Sequence, residues 1–175
     1  MDTSGDEIVN KTIEVTTVTP APYSDAFDNG LTVSVNDPSS FLVNNQLVKV
    51  KEATTSISSI VSLKWIDKIR VAVTASITPD MDFFTIYNTK DKDFEYSLYG
   101  TNFVWENNNI RSLVYIECPP LYVEDEDATY KVHDFFGGTL YESPTRILDL
   151  KYKNGTIYFK VLSKDGSTTS KSISQ

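Results

Sequence analysis

The stretch Leu148-Asp-Leu-Lys-Tyr-Lys-Asn-Gly-Thr-Ile-Tyr-Phe-Lys-Val161 decides the fold class. At its centre, Asn154-Gly155 suits a two-residue type I′ turn, because both central residues of that turn need positive φ. A two-residue loop sets Lys153 opposite Thr156, and every other pair follows from that choice. Tyr152 then meets Ile157, Leu150 meets Phe159 and Leu148 meets Val161 on one face. Lys151 meets Tyr158 and Asp149 meets Lys160 on the other. Turn chemistry thus yields an apolar face and an opposite-charge pair, and a one-residue slip would expose the whole apolar set. The segment reads as an antiparallel hairpin.

The same signals recur outward from this hairpin. Valine (16), isoleucine (13) and threonine (19) outnumber alanine (6) so heavily that strands are favoured before any pattern is traced. Leu31 to Val35 alternates after the turn Asp28-Asn29-Gly30. Phe41 to Val43 and Leu47 to Val50 flank the loop Asn44-Asn45-Gln46, and Phe83 to Asn88 and Phe94 to Tyr99 flank Thr89 to Asp93. Ile69 to Ile77 sets Ile69, Val71, Val73, Ala75 and Ile77 on one face and Arg70, Thr74 and Ser76 on the other. Ile110 to Cys118 alternates until Pro119-Pro120 removes ladder donors. Glu52 to Lys68 fits both periods, but six Ser and Thr between 54 and 62 compete with a helical backbone, so strand is preferred. Ser163 to Gln175, after the turn Lys164-Asp-Gly166, reads as a last edge strand or a tail.

With 175 residues the chain is expected to form one domain. Residues 1–29, with one strand over Thr12 to Val18 and the Pro20-Ala-Pro22 break, read as an extended N-terminal arm. Residues 30–175 read as a single domain. The expected fold is all-β, an antiparallel β-sandwich or small barrel of about 8–10 short strands. No apolar run approaches a membrane span, and the opening Met1-Asp-Thr-Ser-Gly-Asp-Glu does not read as a secretory signal. One cysteine, Cys118, cannot form an internal disulfide. A net charge of −8 argues against general binding to duplex DNA.

Chemistry-bearing patterns are sparse. His133 is the only histidine, so a multi-histidine metal centre is excluded; alternation in Tyr130 to Asp134 suggests a surface or strand-edge position. Cys118 falls in phase with Ile110, Val114 and Ile116, as a small buried hydrophobe would. Gly137-Gly138 has neither phosphate-loop spacing and reads as a turn. Two carboxylate clusters, Glu124 to Asp127 and Asp91, Asp93 and Glu95, contain calcium-type ligands, but the second lacks the glycine and distal glutamate of an EF-hand. Both read as solvated turns, and no metal, cofactor-binding or catalytic residue is assigned. Trp65, Trp105, Tyr96 and Tyr99, with Asn102 and Asn107 to Asn109, contain the groups of a sugar-stacking platform, although core packing explains each ring as well. Asn10-Lys-Thr12 and Asn154-Gly-Thr156 match the glycosylation pattern, with no secretion signal to support its use.

Thr-, Asn- and Tyr-rich strands, the arm from Asp2 to Pro22, a lone Cys118 and the lack of an export signal resemble the small virion proteins of tailed bacteriophages, the ring, adaptor, tail and head-accessory subunits. That resemblance implies a non-enzymatic structural protein in the virion, assembled in the host cytoplasm. Its partners would be further copies of itself and other subunits of the same particle, with no membrane and no sequence-specific nucleic acid. The alternative expectation is a carbohydrate- or receptor-binding β-sandwich, or a cytoplasmic interaction module.

Overall fold

The computed structural model describes residues 24–26, 32–50, 57–106, 109–117 and 128–175. They form an all-β, antiparallel sandwich of three sheets. The first contains β1 (Ser24–Ala26), β2 (Thr32–Asp37), β3 (Ser40–Val43) and β4 (Gln46–Lys49). The second, of seven strands, contains β5 (Ser59–Trp65), β6 (Arg70–Thr78), β7 (Met81–Asn88), β8 (Asp93–Val104), β9 (Val114–Glu117), β10 (Tyr130–Asp134) and β11 (Thr139–Ser143). The third contains β12 (Ile147–Lys153), β13 (Thr156–Leu162) and β14 (Thr168–Ser174). Within each sheet, strands adjacent in space are adjacent in sequence, so all three are meanders. Two of the fourteen strands, β1 and β11, are short stretches without a clear alternating pattern. The first lies inside the segment read as an arm yet pairs with β2, Ser24 opposite Ser34. The expected strand Thr12 to Val18 lies outside the described residues.

The two smaller sheets cover one face of the large sheet. Val33, Phe41, Val43 and Val48 of the first sheet pack with Leu63, Trp65, Val71 and Val73 of β5 and β6. Ile147, Leu150, Ile157 and Phe159 of the third sheet pack with Val114, Ile116 and Val132 of β9 and β10. Register places these apolar sets on one side, since Val71 pairs with Trp65, and Ile116 with both Thr101 and Val132. The alternate positions Ala72, Phe84 and Ile86 form a third cluster on the opposite face with Ile66, Ile110 and Leu113. Strand β6 is therefore buried on both faces, and Thr74, expected on its polar side, is buried.

The Asn154-Gly155 hairpin forms with positive φ at both residues, 52° and 72°. Three inner pairs follow the expected register, Lys153 with Thr156, Tyr152 with Ile157 and Lys151 with Tyr158. Beyond them a bulge intervenes: Asp149 adopts φ 53°, and Ile147, rather than Leu148, meets Val161. The bulge keeps the expected ion pair, with Lys160 Nζ 2.8 Å from Asp149 Oδ2, and sends Ile147 into the core. Asn44-Asn45 makes a second turn of the same kind, with φ of 49° and 66°. The segment 59–65 is a strand, as its Ser and Thr content suggests, and the closing segment is the edge strand β14. The expected strand from Ile110 begins instead as a 3₁₀ turn, Ile110–Ser112. Asn109 Oδ1 accepts the Arg111 N–H and Ser112 Oγ donates to Asn109 O, so side chains satisfy the backbone there in place of a ladder.

A Cβ on Gly155 would meet nothing closer than Gln175 O at 4.0 Å, so any penalty of substitution there is one of backbone conformation. Gly155→Val is expected to cost about 1–3 kcal/mol and Gly155→Asn much less, because Asn tolerates the left-handed region; thermal melts of both variants test this. Between β2 and β3 the chain turns through Asp37-Pro38-Ser39. The Ser40 hydroxyl and the Ser39 N–H, aided by Asn36, hold the Asp37 carboxyl down at about 2 against a small opposing effect of burial. A depressed carboxylate stabilises the fold above its unfolded value near 3.9 and loses that contribution as pH falls toward 2. The melting temperature of Asp37→Asn should therefore fall less than that of the parent between pH 4 and 2.

Candidate functional site

Four separate segments converge on a groove of about 370 Å³. The β5–β6 turn brings Asp67 and Arg70; Asp67 Oδ1 accepts the N–H groups of Ile69 and Arg70, and Oδ2 takes Arg70 Nε at 2.7 Å. Burial opposes ionisation of Asp67, but the Arg70 guanidinium and the two backbone donors outweigh it and hold the carboxyl below its ordinary range. The 3₁₀ turn brings Asn109, Ile110 and Arg111. The β10–β11 turn brings Phe135 and Phe136, and is closed by Asp134 Oδ1 accepting the N–H groups of Phe136 and Gly138.

The fourth segment is a bulge in β8, where Tyr96 stands in the left-handed region at φ 59°. The ladder shifts there, so that Thr85 faces Ser97 while Ile86 faces Glu95. Thr85, fully buried, donates its hydroxyl to Tyr96 O at 2.8 Å and pins the conformation. Bulges re-aim side chains, and a non-glycine residue held at positive φ carries strain that the surroundings must offset. Here the re-aimed ring meets Phe135 at 5.1 Å, and Phe135 meets Phe136 at 5.4 Å, both edge to face. Two of these three rings are largely in solvent, Tyr96 at 59% and Phe136 at 75% exposure.

A second hollow of about 330 Å³ includes Asp80, Asp82, Asn102, Tyr130 and Arg146. Arg146 Nη2 lies 2.6 Å from Asp80 Oδ1, joining chain segments 66 residues apart. Burial pushes the Asp82 carboxyl up despite a hydrogen bond from Ser76. The chain has only three arginines, and all line these two hollows.

Outside the groove, the second face of the large sheet carries a row of side chains across successive strands. Lys64 Nζ stands 5.2 Å from the centre of the Trp105 ring. Trp105 meets Phe84 edge-on, Phe84 stacks on Phe103, Phe103 on Tyr115, and Tyr115 on His133, with ring centres 5.2 to 5.8 Å apart. The expectation of a surface or strand-edge position for His133 is therefore wrong: it is buried in β10 between two paired strands, facing Tyr115. Its Nε2 lies 2.6 Å from Glu117 Oε2 and its Nδ1 3.2 Å from Gly137 O, so both nitrogens are engaged. Burial, followed by the charges of Glu117 and Asp134, raises the Tyr115 phenol above its ordinary value. Gly137-Gly138 closes the β10–β11 hairpin, as its reading as a turn required.

The aromatic platform suggested by the sequence is divided. Trp65 is buried in the first core and Tyr99 rests on Phe83. Trp105 is half-buried in the row, and only Tyr96 reaches the groove. Asn102 lines the second hollow and Asn109 the first, while Asn107 and Asn108 lie outside the described residues. The loop of Asp91, Asp93 and Glu95 is organised around Asn88, whose Nδ2 donates to Asp91 Oδ2 at 2.8 Å and to Glu95 Oε1 at 2.6 Å. An amide donor thus sits between two of the three carboxylates. Among the described residues no three His, Cys, Asp or Glu gather as metal ligands. Cys118, Asn10 and Glu124 to Asp127 lie outside those residues. Asn154, at the tip of its hairpin, donates its N–H to both Glu106 carboxylate oxygens at 3.0 Å.

The chain matches no family model, no curated protein and no solved structure. Replacing Thr85 by the isosteric Val tests whether the bulge is pinned as described. Loss of the buried Thr85 hydroxyl donor to the Tyr96 carbonyl is expected to cost about 0.5–1.5 kcal/mol, read by denaturant unfolding, with NMR shift changes centred on Tyr96 and Phe135.

Proposed function

We propose that this protein is a non-enzymatic assembly subunit that joins further copies of itself, and other subunits of the same particle, by adding strand to strand at an open sheet edge. The observation that carries this reading is the outer edge of β14. All seven residues of β14 pair with β13 without a register shift, from Thr156 opposite Ser174 to Leu162 opposite Thr168. Ser163 donates its N–H to Ser167 O, and Gln175 to Gly155 O. Hydrogen bonds in an antiparallel ladder alternate, so the odd-numbered residues of β14 face β13. Thr168, Ser170, Ser172 and Ser174 then turn their N–H and C=O groups outward.

Exposed edges are normally blunted by shortness, charge, proline or bulges. Among the described residues the other edges show such devices: β1 and β4 span three and four residues, β5 and β12 carry register shifts, and β11 pairs irregularly with β10. Strand β14 has one charge, Lys171, no proline and no bulge. Such an edge is a template for β-augmentation, in which main-chain bonds provide affinity without special residues. Antiparallel pairing of two copies at β14 gives a continuous six-stranded sheet with a self-complementary interface. Assembly of this kind is what the compositional resemblance to small virion subunits of tailed phages implies.

Size-exclusion chromatography with light scattering, followed by negative-stain imaging, is expected to show a discrete oligomer. Ser172→Pro removes an outward N–H and should yield a monomer with a melting temperature close to that of the separated parent chain, since proline is tolerated on the solvent side of an edge. Lys171→Pro, whose N–H faces β13, should instead lower the melting temperature. A parent that is monomeric at its highest soluble concentration, or a Ser172→Pro variant that assembles normally, overturns the reading.

A further inference from the structure

The groove made by Tyr96, Phe135, Phe136, Asn109 and Arg111 is not explained by assembly through β14. Its volume of about 370 Å³ lies within the range of small-ligand sites, about 300–1,000 Å³. The floor includes Ile66 and Ile110, both buried, and three rings run edge to face from Tyr96 through Phe135 to Phe136. The strained Tyr96 backbone, pinned by buried Thr85, fixes the first of these rings in its outward direction.

The polar inventory of the groove is narrow. Asp67 is saturated by Arg70 and two backbone donors, and it neutralises Arg70 through contacts of 2.6 and 2.7 Å. Arg111 has no acidic partner among the described residues, so the described lining keeps one uncompensated positive charge on a chain whose net charge is −8. Asn109 already uses Oδ1 to accept from Arg111 N, which leaves its amide NH₂ to offer. The lining therefore presents a guanidinium fork, an amide donor and exposed aromatic faces. A planar fork suits a carboxylate, aromatic faces suit a ring with C–H groups, and an amide donor suits hydroxyl oxygens.

We propose that this groove binds a saccharide bearing a carboxylate, a sialic or hexuronic acid, with Arg111 taking the carboxylate, Asn109 a ring hydroxyl, and Phe136 and Tyr96 the apolar face of the sugar. The site goes beyond the assembly reading and holds whether or not the protein oligomerises. One uncompensated charge matches one carboxylate. A neutral sugar would leave the fork unpaired, and an acidic peptide would leave the aromatic faces without a ring to cover.

Titration of the intact protein with 3′-sialyllactose, a hyaluronan tetrasaccharide, lactose, acetate and a tri-glutamate peptide, followed by calorimetry and by NMR shifts, tests this. At least one acidic saccharide is expected to saturate, with shifts at Tyr96, Asn109 and Phe136, and to bind at least about tenfold more tightly than lactose. Arg111→Gln should bring the acidic sugar to the level of lactose, and Phe136→Ala should weaken the acidic sugar by about tenfold while Arg111 still discriminates. Both residues are exposed, so both variants are expected to fold with unchanged melting temperature. No saturation by either acidic saccharide, equal binding of lactose, or equal binding of acetate or the peptide overturns the proposal.

Discussion

A seven-stranded sheet with two smaller sheets on one face must still close its other face, and here its own side chains do so. Phe84, Phe103, Tyr115 and His133 stack across β7, β8, β9 and β10, with Trp105 and Lys64 extending the row toward β5. Each such ring pair contributes about 0.5–1.5 kcal/mol beyond the area it buries. More importantly, the row ends on fixed points. Glu117 and Gly137 O hold the two nitrogens of His133, and the second of these contacts ties the sheet to the turn that presents Phe135 and Phe136. One wall of the groove is thereby tied to this stack.

Three irregularities adapt the strands to that arrangement. Tyr96, Asn102 and Asp149 adopt positive φ within strands, each at or beside a register shift. The bulge at Asn102 lets Phe103 join Leu98 on the second face while Val104 joins the third-sheet core. Gly100 allows the close approach this requires, since a Cβ there would run into the carbonyl of Ile116 on β9. In each case one residue of ladder is given up and a side chain changes direction.

The all-β class and the inner register of the Lys153–Thr156 hairpin were legible because turn chemistry and period-two alternation gave the same answer. The strand 59–65 was legible for a different reason, its Ser and Thr content. The bulges were not, since Asp149 or Tyr96 at positive φ has no local signature of the kind Gly155 has. The same blindness produced the error at His133, because alternation gives the side of a strand but does not say that both sides are covered. The start of β9 failed through capping: Asn109 and Ser112 recast an alternating run as a 3₁₀ turn. The groove depends on four segments whose residues are far apart in the chain, so the sequence marks only Tyr96 and Asn109, as members of a sugar platform that the fold divides.

Because the described strands of each sheet pair with their neighbours in sequence, the largest gap between paired strands is residues 118–129, between β9 and β10. Loop closure grows only logarithmically costly, at about 0.6 kcal/mol per doubling, so short closures leave little entropic barrier to each pairing step. Folding can advance by adding one hairpin to the next, and the non-local search that slows Greek-key sandwiches is confined to docking three locally built sheets. Tight turns such as Asn154-Gly155 form on the microsecond scale, before the sheets meet.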